Sequence, residues 1–149
     1  MFASLLDHPP DLPVRDGLAQ VQEAIGTIGT AVLQSPPGSG KTTLVPPALA
    51  AVTAGRVVVT QPRRIAARAA AARLAHLIGQ PVGASVGFTV RGERKVSAAT
   101  RIEVVTEGVF TRMVLDDPEL EGISAVLFDE FHERSLDADF GLALALDVQ

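Results

Sequence analysis

Short apolar runs rich in β-branched residues alternate with longer helix-like segments along almost the whole chain. That alternation restricts the fold to βαβ units built on a parallel sheet covered on both faces. The runs place five strands at residues 30–34, 56–60, 84–88, 101–105 and 123–128, with helices near 11–25, 41–53, 63–78, 107–115 and 137–148. Gly79 followed by Pro81 is a stop signal for the third helix. Pro46 and Pro47 fall inside the second, where each removes a backbone donor and crowds the preceding turn, so a kink or early break is expected there. The alanine-rich run 66–75 carries Arg68 and Arg73 and is an ordinary helix, not a low-complexity linker.

With 149 residues, 47% of them hydrophobic, the chain has material for one domain with a real core and not for two. It has no cysteine, which removes disulfides, zinc–thiolate sites and thiol nucleophiles from consideration. The start, MFASLLDHPP, lacks a basic region followed by an apolar stretch, and no window approaches the roughly 18 uncharged apolar residues of a membrane span. A soluble, cytoplasmic protein is expected. The net charge of −4 hides a block pattern: residues 56–101 hold nine basic and one acidic residue, while 103–149 hold two basic and twelve acidic. Such segregation fits a basic binding surface beside an acidic, metal-holding one, and equally fits surface charge that happens to cluster.

In a parallel sheet with right-handed crossovers, ligands collect at the carboxyl ends of the strands. Four segments stand at those ends: SPPGSGKT after the first strand, QPRR after the second, TEG after the fourth and DEFH after the fifth. Their convergence on one sheet edge weighs more than any single motif. In SPPGSGKTT (35–43), Gly38 and Gly40 allow backbone N–H groups to turn toward one anion, and the following helix adds its N-terminal dipole. Pro37, Gly38, Ser39, Gly40, Lys41, Thr42 and Thr43 thus form a triphosphate cradle, with Lys41 reaching the β- and γ-phosphates and the Thr42 hydroxyl on Mg²⁺. Ser35 stands where the usual pattern has Gly. Asp129 would hold the magnesium, partly through water, and Glu130 would align or deprotonate the attacking water. Without the phosphate loop, an Asp-Glu pair after a strand is more often a helix cap and solvated charge. Arg63 and Arg64 open a helix at a strand end, and Arg64 and Arg68 share a face one turn apart, a geometry suited to backbone phosphates and equally to a solvated helix start. His132, beside Glu130, is either a solvated loop residue or a bridge from the nucleotide site to another element. His8 and His76 have no such context.

The ordered series SPPGSGKTT, TQPRR, TEGVFTR and DEFHERS resembles the first RecA-like domain of the DEAH-box helicases of superfamily two. The stretch VGFTVRGERKVSAATRIEVVTEGVFTR, with DEFH, is similar to the bacterial HrpB-like branch. The resemblance runs from about Leu12 to the end. It implies a three-layer α/β P-loop NTPase fold with a mostly parallel sheet of about five strands. It also implies ATP and Mg²⁺ as cofactors, with Lys41, Asp129 and Glu130 catalytic. Gln61, Pro62, Arg63 and Arg64 match the motif that grips the RNA backbone, and Thr106, Glu107 and Gly108 match a second strand-contacting motif. His132 matches the residue coupling ATP state to domain closure, and Arg73 resembles the arginine on which adenine stacks. The expected partners are RNA, with single-stranded DNA left open, and a second RecA-like domain; no membrane is implied. On this reading residues 1–149 are a single, incomplete N-terminal RecA-like domain, with 1–11 a tail. In the family a Ser-Ala-Thr segment follows the acidic motif, and its strand lies between the phosphate-loop and acidic-motif strands; this sequence does not contain it. A P-loop kinase or ATPase acting on a small molecule, and a non-catalytic nucleotide-binding module, stay open as alternatives; the QPRR and TEG loops argue against the first.

Overall fold

β1 (Arg56–Gln61) is the reference strand, five of its six residues buried, as a parallel strand covered on both faces must be. The computed structural model describes residues 1–148. β1 lies between β4 (Ile102–Thr106) and β5 (Ile123–Phe128), parallel to both. Beyond β4 come β2 (Val86–Val90), also parallel, and the short antiparallel β3 (Glu93–Lys95), giving the order β3-β2-β4-β1-β5.

Alternate residues of these strands feed two cores. Val57 and Val59 of β1, Ile102 and Val104 of β4, and Val86, Phe88 and Val90 of β2 point toward α3 (Lys41–Val52) and α4 (Arg64–Leu77). Val58 and Val105 point the other way, against Phe110 and Val114 of α5 (Glu107–Asp116), with Leu144 and Ala145 of α6 (Leu136–Val148) packed alongside. This is the three-layer α/β arrangement expected.

Several expectations need correction. Residues 30–34 form no strand: they are mostly exposed, Val32 fully so, and β5 pairs on one side only, with β1. A strand needs a ladder partner for its backbone groups. Between this segment and β5 lies an open groove of about 1030 Å³ instead. The count of five is met by β3, whose two-residue Arg91-Gly92 turn is a hairpin signal that the sequence carries.

The helix expected over 11–25 is a 3₁₀ turn (Pro13–Gly17) followed by α2 (Leu18–Thr27). The supposed tail folds as α1 (Phe2–Asp7), because Phe2 is buried, and Leu6 partly so, against the core that α3 shares. Nor do the two prolines end α3, which runs unbroken to Val52. Their missing donors fall in its second turn, and seven consecutive residues from Leu44 to Ala50 are buried, so packing holds the helix.

The basic block is only partly a surface. Arg56 is spent on buried Glu103 at 2.5 Å, and the Arg101 guanidinium caps α3 by donating to the carbonyl oxygens of Ala50 (3.0 Å) and Thr53 (2.6 Å). Arg63, Arg64, Arg73, Arg91, Arg94 and Lys95 are exposed, and Arg68 ties α4 to the β2–β3 hairpin through Glu93.

Candidate functional site

Because β4, β1 and β5 run parallel, the residues leaving their carboxyl ends are set side by side. Gln61 is in register with Thr106, and the pairing of Thr60 with Phe128 puts Asp129 on the rung beside Gln61. The alternation that sends Val57 and Val59 toward α3 sends Gln61 and Asp129 there too. There they meet the N-terminus of α3.

The phosphate loop arrives at that point in a conformation only glycine accepts readily. Gly40 lies at φ +93, and a Cβ on it would meet the Leu12 side chain at 2.6 Å. Leu12 belongs to a segment that buttresses the loop, for Val14 donates its N–H to the Ser39 carbonyl at 3.0 Å. Nothing in the sequence pattern pointed to it. The Lys41 ammonium is folded over its own loop, donating to the carbonyls of Ser35 (2.8 Å) and Pro36 (3.2 Å) and to Ser35 Oγ (3.2 Å). Ser35 Oγ also pairs with Ser39 Oγ at 2.6 Å, so the residue that departs from the usual pattern helps shape the cradle.

Asp129 is the hub. Its Oδ2 accepts from Thr42 Oγ1 of the phosphate loop and, at 2.7 Å, from Gln61 Nε2 at the end of β1. Its Oδ1 accepts from the Glu130 N–H at 3.0 Å. The carboxylate is 5% exposed and has no ion pair among the described residues. A buried carboxylate with only neutral donors invites a cation. Thr42 and Asp129 supply the hard oxygen donors that Mg²⁺ takes alongside water and phosphate, so the residues present fit that ion.

Beyond Asp129 the chain turns sharply: Glu130 lies in the left-handed region at φ +54 and starts a 3₁₀ turn (Phe131–Glu133). An aromatic stack fixes it, with Phe110 edge-on to Phe128 (5.4 Å between centroids) and Phe128 edge-on to Phe131 (6.2 Å). The Arg134 guanidinium sits 5.5 Å over the Phe131 ring and pairs with Asp139 at 2.7 Å. That hydrogen bond holds the Asp139 carboxyl below its ordinary range and raises Arg134. His132 is exposed with Nε2 3.2 Å from Glu130 Oε2, and Glu133 lies close enough for the three to share an ion, with His132 and Glu133 exposed and Glu130 half-buried.

The strand-end loops touch one another here. Arg63 of QPRR pairs with Glu133 at 3.1 Å, and Ser135 donates to Glu107 of TEG at 2.5 Å. Glu133 and Ser135, missed as site residues, lie just past DEFH and could have been suspected from that position alone. Other predicted residues are placed differently. Gln61 is buried and committed to Asp129, so its side chain does not face solvent, whereas Arg63 and Arg64 do. Pro62 and Thr106 are half-buried and Gly108 is exposed. Arg73 is exposed on α4, nine residues beyond Arg64 and so about 13 Å further along the helix, away from the phosphate loop.

The comparisons with known proteins agree with this architecture. A profile of the DEAD/DEAH box helicases matches residues 19–146. The chain is 47% identical over 140 residues to the ATP-dependent RNA helicase HrpB of Escherichia coli (strain K12), covering 93% of itself and 17% of that protein. It is 35% identical to the ATP-dependent RNA helicase DHX33 of Drosophila melanogaster, covering 98% of itself and 22% of the relative. The crystal structure of the Escherichia coli DEAH/RHA helicase HrpB superposes with a TM-score of 0.90 at 47% identity over 93% of this chain, 18% of that one. The chain therefore spans about a fifth of the length of these relatives and shares the RecA-like fold of the HrpB structure. No described helix is long and apolar enough to cross a membrane. With a matching profile over most of its length and the four strand-end loops assembled as above, the chain belongs to the DEAD/DEAH box helicase family.

Proposed function

We propose that residues 1–149 are the Mg-ATP-binding module of a cytoplasmic, ATP-dependent RNA helicase that grips the backbone of single-stranded nucleic acid. The observation that carries this reading is the Asp129 carboxylate, held by Thr42 of the phosphate loop on one side and by Gln61 of the QPRR loop on the other. A triphosphate entering the cradle would draw Lys41 off the loop carbonyls onto its β- and γ-oxygens. Bound Mg²⁺ would neutralise charge on those oxygens, with Thr42 and Asp129 as its protein-side oxygens. Glu130, half-buried at the turn, would align the attacking water. Arg63 and Arg64 at the helix start would contact phosphates without reading sequence.

Hydrolysis would need more than this module. Cleavage of the γ-phosphate gains ~10³-fold or more from arginines supplied by another element, and we assign that role to a second RecA-like domain. The length of the relatives supports this, while the groove beside β5 has room for the strand that the family places between the phosphate-loop and acidic-motif segments. Titration with a fluorescent ATP analogue, with and without Mg²⁺ and oligouridine, tests the reading. Binding should require Mg²⁺ and tighten with RNA, and ligand at 100 times Kd should add about 2.7 kcal/mol to thermal stability. Mg-dependent binding indifferent to any RNA would point to a small-molecule kinase or ATPase instead.

A further inference from the structure

Gln61 sits within QPRR, yet its side chain is turned away from the surface that the arginines occupy. It is 4% exposed, and its amide donates to Asp129 Oδ2 at 2.7 Å, the same oxygen that Thr42 contacts. A residue needed only to fill that space could be apolar, since burying an amide costs free energy unless it is paired. A donor opposite a carboxylate does something further: it fixes which way the oxygen points.

The connection onward is short and stiff. Gln61 precedes Pro62, which has no N–H and confines its predecessor to extended backbone. Arg63 follows, itself extended (φ −132, ψ 141), and its side chain is 74% exposed. Two residues thus separate an exposed guanidinium from the carboxylate at the phosphate loop. Arg63 also pairs with Glu133, in the turn that follows Asp129 and Glu130, at 3.1 Å. A nucleic-acid phosphate taking Arg63 would compete with Glu133 for it, so a strand bound at QPRR acts on the DEFH segment from both ends.

We propose that Gln61 is a positioning residue rather than a nucleic-acid contact: it holds Asp129 Oδ2 in line with Thr42 for the metal and transmits the seating of a strand on Pro62–Arg64 to that carboxylate. The proposal rests on the function stated above. The reciprocal consequence is that nucleotide with metal tightens the strand as much as the strand tightens the nucleotide.

The test uses Gln61→Met, of similar length but without a donor, and Gln61→Asn, which keeps the amide and loses one methylene of reach. Both are compared with wild type by fluorescent-nucleotide titration against Mg²⁺, with and without oligouridine, after thermal melting has identified the folded variants. Outer partners of metal ligands typically carry about 10- to 100-fold in metal affinity, so the Mg²⁺ midpoint for nucleotide binding without RNA should rise roughly tenfold in either variant. Nucleotide affinity at saturating Mg²⁺ should stay within about twofold, which a general loss of structure would not allow, since the phosphate loop would suffer with it. The RNA-induced tightening, expected at roughly fivefold or more in wild type, should fall toward unity, while oligouridine binding without nucleotide is kept. Unchanged Mg²⁺ midpoints and unchanged coupling in a folded variant would overturn the proposal. So would a loss of oligouridine binding alone, which would make Gln61 a strand contact. Wild type that binds Mg-nucleotide but no RNA would sink the helicase reading and the relay with it, while the Mg²⁺ midpoints would still decide whether Gln61 positions Asp129.

Discussion

β1 and β5 are strands of equal length and different fates. RVVVTQ, apolar at three positions, is buried at five of six, while ISAVLF, apolar at five, has no fully buried residue. β1 has strands on both sides; β5 has one neighbour and then a groove. Composition made both segments strands, but burial came from the neighbours. The half of the sheet around β1 is a finished core. The β5 side, with α6 leaving Leu136 and Phe140 largely exposed, is not.

Cavity mutants should separate the halves most widely. Leu44→Ala, at a fully buried position on α3, is expected to cost about 2–5 kcal/mol. Leu146→Ala, 54% exposed beside the groove, should cost under about 1 kcal/mol. Urea unfolding reads both, and equal losses would mean that the β5 side is as well packed as the rest. A smaller contrast concerns glycine. Gly40→Ala meets both the φ of +93 and the Leu12 side chain, and should destabilise by about 1–3 kcal/mol. Gly26→Ala in α2, with nothing within 4 Å, should instead gain about 0.5–1 kcal/mol. The smallest effect belongs to the exposed Arg134–Asp139 pair at the start of α6. The Asp139 carboxyl is lowered in the folded state, so its contribution is present above the unfolded value, near pH 4, and is lost as pH falls through the folded value. Asp139→Asn should therefore melt slightly below wild type at pH 7, with the gap closing in acid; a gap that widened in acid would reverse the sign assigned here.

What could be read from the sequence follows the same division. The strands around β1 and the helices α3 to α6 were legible within two residues, since apolar periods and caps specify them locally. Residues 30–34 misled because an apolar run records what a strand would bury and not whether its partner is present. Phe2 and Leu6 were passed over because six residues ahead of two prolines carry too short a period to reveal that α1 docks on α3. In the site, the residue types of the phosphate loop and Asp129 announced a phosphate-and-metal chemistry on their own. The Gln61–Asp129 contact did not, because it depends on the register of β1 against β5, which no local pattern encodes. Leu12 stayed hidden for the same reason.

The central claim is that residues 35–43, closed by Asp129, bind a magnesium–nucleoside triphosphate, and Lys41→Ala tests it most directly. In a fluorescent-nucleotide titration at saturating Mg²⁺, wild type should bind and the folded variant should show no measurable binding, since the ammonium now resting on the Ser35 and Pro36 carbonyls is the loop's one mobile positive charge. Affinity unchanged by the substitution would contradict the account.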